Sequence, residues 1–455
     1  MPSVLLLMAD EHNPRYAAPY GHPSVQTPCM DRLAAQGVAY ESAYCPSPLC
    51  MPSRSAFVAG RYVHELGTYS NCNLLMEGYD YPTYGRALAE QGVYTAYVGK
   101  THVYRPGRVL GFSEMILPGD TPPPGDANHG RRPLTIRPQA AERAGQFGPL
   151  ADPFGADLKI MDAALAWLHQ RAPALRQPWL LAVHLHKPHF PQWVTQELWD
   201  LYPQGGDLPA YGRECASAQH PYAQDLRAHF ETEQFTEEQV RGLRRGYLGC
   251  VTFVDQQLGR LVTALEQHGL RETTDVIYTA DHGEMLGKFG MWWKCSLYDD
   301  AVRVPLIAAG PSFSGGMRVR TPVSLLDVQA ALFRCLGAAR PPEWRGAPLQ
   351  DVAPDDAERI VFAEYHGHGT RSGAFMLRQG GWKLIYYAEA PHQLFNLAED
   401  PEELHNLAPT LPAKVAELER ALRRICDPER ECERAHAFER AQLERLEGWI
   451  QDCLL

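Results

Sequence analysis

The sequence predicts an α/β protein: a large, mostly parallel sheet sandwiched by helices, with a small antiparallel-sheet subdomain at the C-terminus. Three observations carry this. Short continuous apolar runs, the mark of strands buried on both faces, recur through the first two thirds of the chain. Stretches with helical spacing lie between them. From about residue 359 the pattern changes to short strands separated by turn signals.

The first run, Val4-Leu5-Leu6-Leu7-Met8, stops abruptly at polar residues, as a buried parallel strand does. Thr27-Pro28 then opens a helix, because proline is tolerated in the first turn, and Gly37 closes it. Further strands are expected at residues 94–98, 179–185, 275–279 and 304–309. The clearest helix starts at Thr236, which forms a capping box with Gln239. Its apolar positions from Val240 to Leu265 step by three or four residues, and Gly269 ends it. Residues 119–154, rich in Pro, Gly and Arg without periodicity, read as a long loop. The antiparallel strands are expected at 360–363, 374–377, 382–387 and 393–396, and the charged tail from Leu411 is helical in pattern. The expected division is a catalytic α/β domain over 1–355 and a C-terminal subdomain over 356–455.

With 455 residues, 45% of them hydrophobic and 21% charged, the chain can bury a large core. A net charge of −11 argues against nucleic acid as a partner, while leaving room for an anionic substrate at a local cluster of cations. Eleven cysteines, an odd number spread thinly, read as reduced thiols. The opening apolar run is too short for a signal peptide, and no stretch is long enough to span a membrane, so a cytoplasmic location is expected. A homo-oligomer is compatible with these numbers.

Several polar clusters directly follow apolar strands, which is where α/β sheets bind ligands. Asp10 follows the first strand, and Asp281-His282 follows the run at 275–279. Two carboxylates and an imidazole suit a divalent cation. In Cys50-Met51-Pro52-Ser53-Arg54, Pro52 and Ser53 are helix-start residues, so Cys50 would sit at a helix N-terminus, where unpaired N–H groups favour an anion. Arg54 and Arg61 add positive charge there.

Cys50-x-Pro52-Ser53-Arg54 with Gly60-Arg61 resembles the signature of type I sulfatases, formylglycine-dependent members of the alkaline phosphatase superfamily. The resemblance runs along nearly the whole chain. Met8-Ala9-Asp10, Gly99-Lys100-Thr101-His102, Pro188-His189-Phe190-Pro191 and Asp281-His282-Gly283-Glu284 match further segments in order. So do Trp293-Lys294 with the Val302–Leu306 stretch, and residues 394–403 with Asn406-Leu407. The resemblance implies an alkaline-phosphatase-like fold and a formylglycine made from Cys50 by a formylglycine-generating enzyme. It also implies one divalent cation, Ca2+ or Mn2+ with Mg2+ a further option, held by Asp10, Cys50, Asp281 and His282. Arg54, Lys100, His102, His189 and Lys294 would complete the catalytic set, with His102 as the base that releases sulfate. Many members carry Asp at the Glu11 position and Asn at the His282 position, so Glu11 is left open as a ligand. His186 and Lys288 lie close by, and Tyr104, Phe190, Trp292 and Trp293 are candidate pocket walls.

The activity implied is hydrolysis of a small-molecule sulfate monoester. The alternative is a phosphonate monoester or phosphodiester hydrolase using the same site. The Trp292-Trp293-Lys294 context is similar to choline-sulfatase-like members, which favours sulfate. A binding protein on the same fold would be expected to have lost Cys50 or a metal ligand, and this chain keeps them.

Overall fold

The computed structural model describes residues 2–75, 80–122, 124–126, 134–137, 139–203 and 207–454, with side chains left out at 108 and from 449 onward. The main sheet has eight strands: Ser3–Asp10 (β1), Val38–Tyr40 (β2), Tyr94–Gly99 (β3), Glu114–Ile116 (β4), Trp179–Pro188 (β5), Thr274–Ala280 (β6), Leu306–Ala309 (β7) and Met317–Val319 (β8). Their order is β8-β2-β7-β6-β1-β5-β3-β4, and β6, β1, β5, β3 and β4 are mutually parallel. Every residue of β1 is buried, so both faces of the sheet are covered.

Pro28–Gln36 (α1), Gly155–Gln170 (α3) and Glu237–Gln267 (α4) pack together against one group of strands. Cys50–Ala59 (α2) packs with Leu325–Leu336 (α5), which lies against β1. The Thr236–Gln239 capping box is present at the start of α4, and the apolar stripe of that helix is its buried side.

Two expectations change. The run at 304–309 is interrupted at Pro305, which cannot donate a ladder hydrogen bond, so Val304 belongs to a separate two-residue strand. β7 also runs antiparallel to β6, because no crossover helix separates them. β7 starts beside the end of β6, so the intervening residues stay at that end of the sheet. The expected loop at 119–154 contains a helical turn at Ala141–Gly145 and a strand at Phe147–Pro149 that pairs with Gln192–Val194; residues 123, 127–133 and 138 of it lie outside the described residues. Among the described residues, no helix is long and apolar enough to cross a membrane.

The C-terminal sheet is antiparallel: Ile360–Tyr365 (β9), Ala374–Gln379 (β10), Trp382–Tyr387 (β11) and Gln393–Asn396 (β12), in that order. Alternation divides its side chains between two cores. Val361, Ala363, Met376 and Ile385 join the main core, while Phe362, Phe375, Leu377 and Leu384 pack with Leu418 and Leu422 of the helix Pro412–Leu422 (α6). Pro428–Leu454 (α7) completes the tail.

The loop after β12 is tied back to the segment that follows β6 by buried charges. Lys383 Nζ on β11 donates to Asp299 Oδ1 and to Glu403 Oε1, each at 2.7 Å, and all three side chains are at most 4% exposed. Glu402 pairs with Lys288 and Arg15, and Lys288 also holds Asp300. Removing one member of a buried charged network strands the others without water or partner. Lys383→Ala should therefore lower stability by about 3–5 kcal/mol, read from the urea midpoint. A loss near that of a surface substitution would show that Asp299 and Glu403 find other partners.

Candidate active site

Side chains placed just past adjacent parallel strands converge on one edge of the sheet. β6, β1, β5 and β3 are four such neighbours. β6 is followed by Asp281 and His282, and β1 ends at Asp10 with Glu11 next. β5 is followed by His189, and β3 by Lys100, Thr101 and His102. Gly99 makes the last exit possible: its φ is +97°, and a Cβ there would lie 2.4 Å from the His184 carbonyl oxygen. Glu11, His102, Trp293 and Cys295 also adopt left-handed backbone, although none is glycine. Such strain costs on the order of 1–3 kcal/mol per residue and gathers at functional sites.

Helix α2 points its N-terminus into this convergence, and Cys50 is its first residue. Leu49, at the N-cap, has no oxygen to offer, so Asn71 accepts the Met51 N–H at 2.9 Å. Every residue of α2 is buried, Arg54 included. Arg54 Nε donates to Asp281 Oδ2 at 2.7 Å, Nη2 lies 3.4 Å from Asp10 Oδ2, and Nη1 donates to His184 Nδ1 at 3.1 Å. Lys100 also donates to Asp10 Oδ2. Both carboxylates thus turn one oxygen to fixed cations and the other toward Cys50 and His282.

The second oxygens define a cation-sized gap. Asp10 Oδ1 is buried without a hydrogen-bond partner. His282 Nε2 lies 3.6 Å from Asp10 Oδ1, 3.6 Å from Asp281 Oδ1 and 3.1 Å from Cys50 Sγ. His282 Nδ1 donates to the Gly283 carbonyl at 3.0 Å, which leaves Nε2 as the ligating atom of the neutral ring. An orphaned carboxylate oxygen beside a second carboxylate and an imidazole fits a divalent cation. Without one, the Asp281 charge outweighs burial and raises His282 to about 9. Glu11 belongs to a neighbouring set of converging ligand atoms, with Asp10 and His189. Its Oε2 sits 3.2 Å from Lys294 Nζ and 3.3 Å from His189 Nε2, while burial holds its carboxyl well above the usual range.

The remaining candidates ring Cys50. Burial would raise its thiol, but Lys294, His282 and Lys100 outweigh that and hold it well below its ordinary value. Lys294 Nζ donates to His189 Nε2 at 2.7 Å, and His189 Nδ1 donates to the Phe190 carbonyl at 2.7 Å. Burial and the Lys294 charge push His189 down to about 3, so the ring is neutral. Burial also lowers His102, whose Nδ1 has no hydrogen-bond partner. Asp10, Cys50, Arg54, Lys100, His102, His189, Asp281, His282 and Lys294 are therefore one assembly.

A cavity of about 590 Å³ opens onto Cys50, Lys100, His102, His189 and Lys294. Its outer wall includes Asp126, Arg137, Arg143, Phe190, Phe230, Trp293 and His368. A cluster of side chains that could hold a metal ion, with Cys50 among them at the floor of one pocket, joins six sequence motifs, and the family model described as Sulfatase matches residues 2–338. The chain belongs to the sulfatase family. It is a sulfuric ester hydrolase. The model for the C-terminal part of N-sulphoglucosamine sulphohydrolase matches residues 287–427 of the same sulfatase. A choline-sulfatase from Rhizobium meliloti is 31% identical, over 90% of this chain and 82% of its own. An arylsulfatase K from Xenopus laevis is 26% identical, over 97% and 85%. In fold, this sulfatase is similar to the phosphonate monoester hydrolase of Agrobacterium radiobacter, with a TM-score of 0.74 at 23% identity, covering 93% of this chain and 95% of the other.

Some candidates lie elsewhere. Lys288 is committed to the Asp300–Glu402 network, Tyr104 bonds Gln442, and Trp292 packs on Phe235 outside the pocket. His186 does line the pocket, held by Asp157 at 3.0 Å. Sequence reasoning missed Asn71, His184, Glu284, Arg137, Arg143, Phe230 and His368. Glu284 lay inside a matched motif: its Oε1 accepts the Trp293 N–H at 2.5 Å, which positions Lys294. Arg137 and Arg143 lay in a segment with no periodicity to mark them.

The metal site predicts its own failure. The wild-type enzyme should retain close to one equivalent of divalent cation through gel filtration, read by elemental analysis. Asp10→Asn should lose most of it, as the orphaned oxygen loses its charge. Undiminished metal in Asp10→Asn would remove Asp10 from the ligand set.

Proposed function

We propose that this sulfatase hydrolyses sulfate monoesters through a formylglycine made from Cys50, assisted by one divalent cation, Ca2+, Mn2+ or Mg2+. The observation that carries the reading is the position of Cys50. It stands at the N-terminus of α2, 3.1 Å from His282 and within ligand reach of Asp10 and Asp281. Asp10, Asp281, His282 and the side chain at position 50 would hold the cation. When bound, it lowers the pKa of a hydroxyl at position 50 and offsets charge on the sulfate oxygens. Hydration of the aldehyde supplies two hydroxyls, so the ester formed through one can be released through the other, which neither Ser nor Cys allows.

The chain's own groups divide the remaining work. Arg54 fixes the orientation of both carboxylates. Lys100 and Lys294 stand where charge grows on the transferred group. The Lys294–His189 hydrogen bond brings a proton donor to the departing oxygen, and His102, neutral and short of a partner, accepts the proton when sulfate leaves. Maturation requires the formylglycine-generating enzyme. Because Cys50, Pro52 and Arg54 are buried in α2, that enzyme has to read the segment before the helix packs.

Charge supports sulfate over a phosphate monoester. Arg54, Lys100, Lys294 and one cation are set against Asp10, Asp281 and Glu11, which leaves a modest positive balance suited to a monoanion. Phosphonate monoesters and phosphodiesters are also monoanions, and the fold shared with a phosphonate monoester hydrolase keeps them as the second reading.

Matched aryl esters of sulfate, phosphonate, phosphodiester and phosphate monoester test this through kcat/KM. Sulfate should lead and the phosphate monoester should trail, whereas a clear lead for phosphonate or diester would install the second reading. Cys50→Ala should fold yet lose activity by roughly 10³-fold or more. Intact mass should show the aldehyde in active wild-type protein, and full activity in the variant would end the mechanism.

A further inference from the structure

Among the pocket cations, most already have a carboxylate. Lys100 is paired with Asp10, Lys294 with Glu11, and Arg137 with Asp126. Asp120, also on the wall, is taken up by Thr101 and the Gly107 N–H. Arg143 differs. It projects from the helical turn Ala141–Gly145 into the pocket, half-buried, and among the described residues no carboxylate lies within ion-pair distance of it.

Its guanidinium is nevertheless held in place. The central carbon lies 4.4 Å from the Phe190 ring centroid and 5.3 Å from that of Trp293, two rings set 5.6 Å apart at 63°. Stacking of this kind orients a planar cation while leaving its N–H edge open. Burial and the nearby Arg137 push it down only to about 10, so it is charged at neutral pH. A desolvated, oriented cation with no carboxylate at ion-pair distance among the described residues, in a ligand pocket, is a recognition element for an anion.

We propose that the alcohol part of the substrate carries its own oxyanion, a carboxylate or a second sulfate, and that Arg143 receives it. This rests on the sulfate-ester reading above. Lys294 Nζ lies 5.4 Å from the centroid of the same Phe190 ring, so the two cations are at most about 10 Å apart. The second anion therefore lies within about that distance of the reacting ester, on the same unit or the one next to it. The geometry also disfavours a quaternary ammonium alcohol. The Phe190 and Trp293 faces, which could attract one, are occupied by Arg143, whose charge repels it.

The test uses fully matured enzyme and four aryl sulfates: unsubstituted, and meta-substituted with carboxylate, sulfonate or trimethylammonium. Substituents also change leaving-group chemistry, so the readout is each substrate's kcat/KM relative to the unsubstituted ester, compared between wild type and Arg143→Gln. Leaving-group effects cancel in that comparison. The preference for the carboxylate or sulfonate ester should fall about 10- to 100-fold in Arg143→Gln, as for a lost charge-assisted hydrogen bond. The member of the pair that falls further identifies the oxyanion. Arg143→Lys should retain part of the preference, and serves where Arg143→Gln folds poorly. Identical relative values in wild type and both variants would overturn the proposal, as would a trimethylammonium preference that Arg143 substitution removes. If all four sulfates were inert while the corresponding phosphonate monoesters kept the Arg143-dependent preference, the sulfate reading would fail and this inference would stand.

Discussion

The architecture of the site depends on one buried guanidinium. Arg54 is 1% exposed and touches Asp10 and His184, on two strands, and Asp281, just past a third. Two carboxylates brought this close inside a protein repel one another and lose their hydration, a cost that runs to several kcal/mol per ion without partners. Arg54 and Lys100 neutralise the outward oxygens, which leaves the inward pair turned toward His282 and Cys50. Placing that arginine four residues along the helix from Cys50 ties Cys50 to Asp10 and Asp281. The same turn of α2 serves both.

A second network sets the other half of the site. The segment between β6 and β7 carries Asp281, His282, Glu284 and Lys294 and contains only short helical turns and a two-residue strand. Much of its rigidity comes from outside. Lys383 and Glu403 hold Asp299, Glu402 holds Lys288, and Glu284 holds the backbone at Trp293. The left-handed backbone at Trp293 and Cys295 persists because these contacts over-determine it. The C-terminal sheet is thus a brace for the catalytic edge, and the 394–403 motif is the strap that joins them.

The outer pocket has a different logic from the floor. Cations on the floor are each matched to a carboxylate, which limits their net positive charge. On the wall Arg143 is matched to aromatic rings instead, which hold its direction, with no carboxylate at ion-pair distance among the described residues.

The convergence of the floor residues was legible in the amino-acid sequence. Asp10, Lys100, His102, His189, Asp281 and His282 stand in short motifs just after strands, Cys50 and Arg54 stand at a helix start, and the family resemblance adds Lys294. The central strands and α4 were legible too, since burial on both faces or along one stripe leaves a periodic trace. Tertiary structure alone decided the direction of β7, the brace through Lys383, and the pairing state of each pocket cation. Those depend on residues far apart in the chain, such as Lys383 with Asp299 or Arg143 with Phe190. The composition of a loop says nothing about which ring or carboxylate will meet it once the sheet has closed.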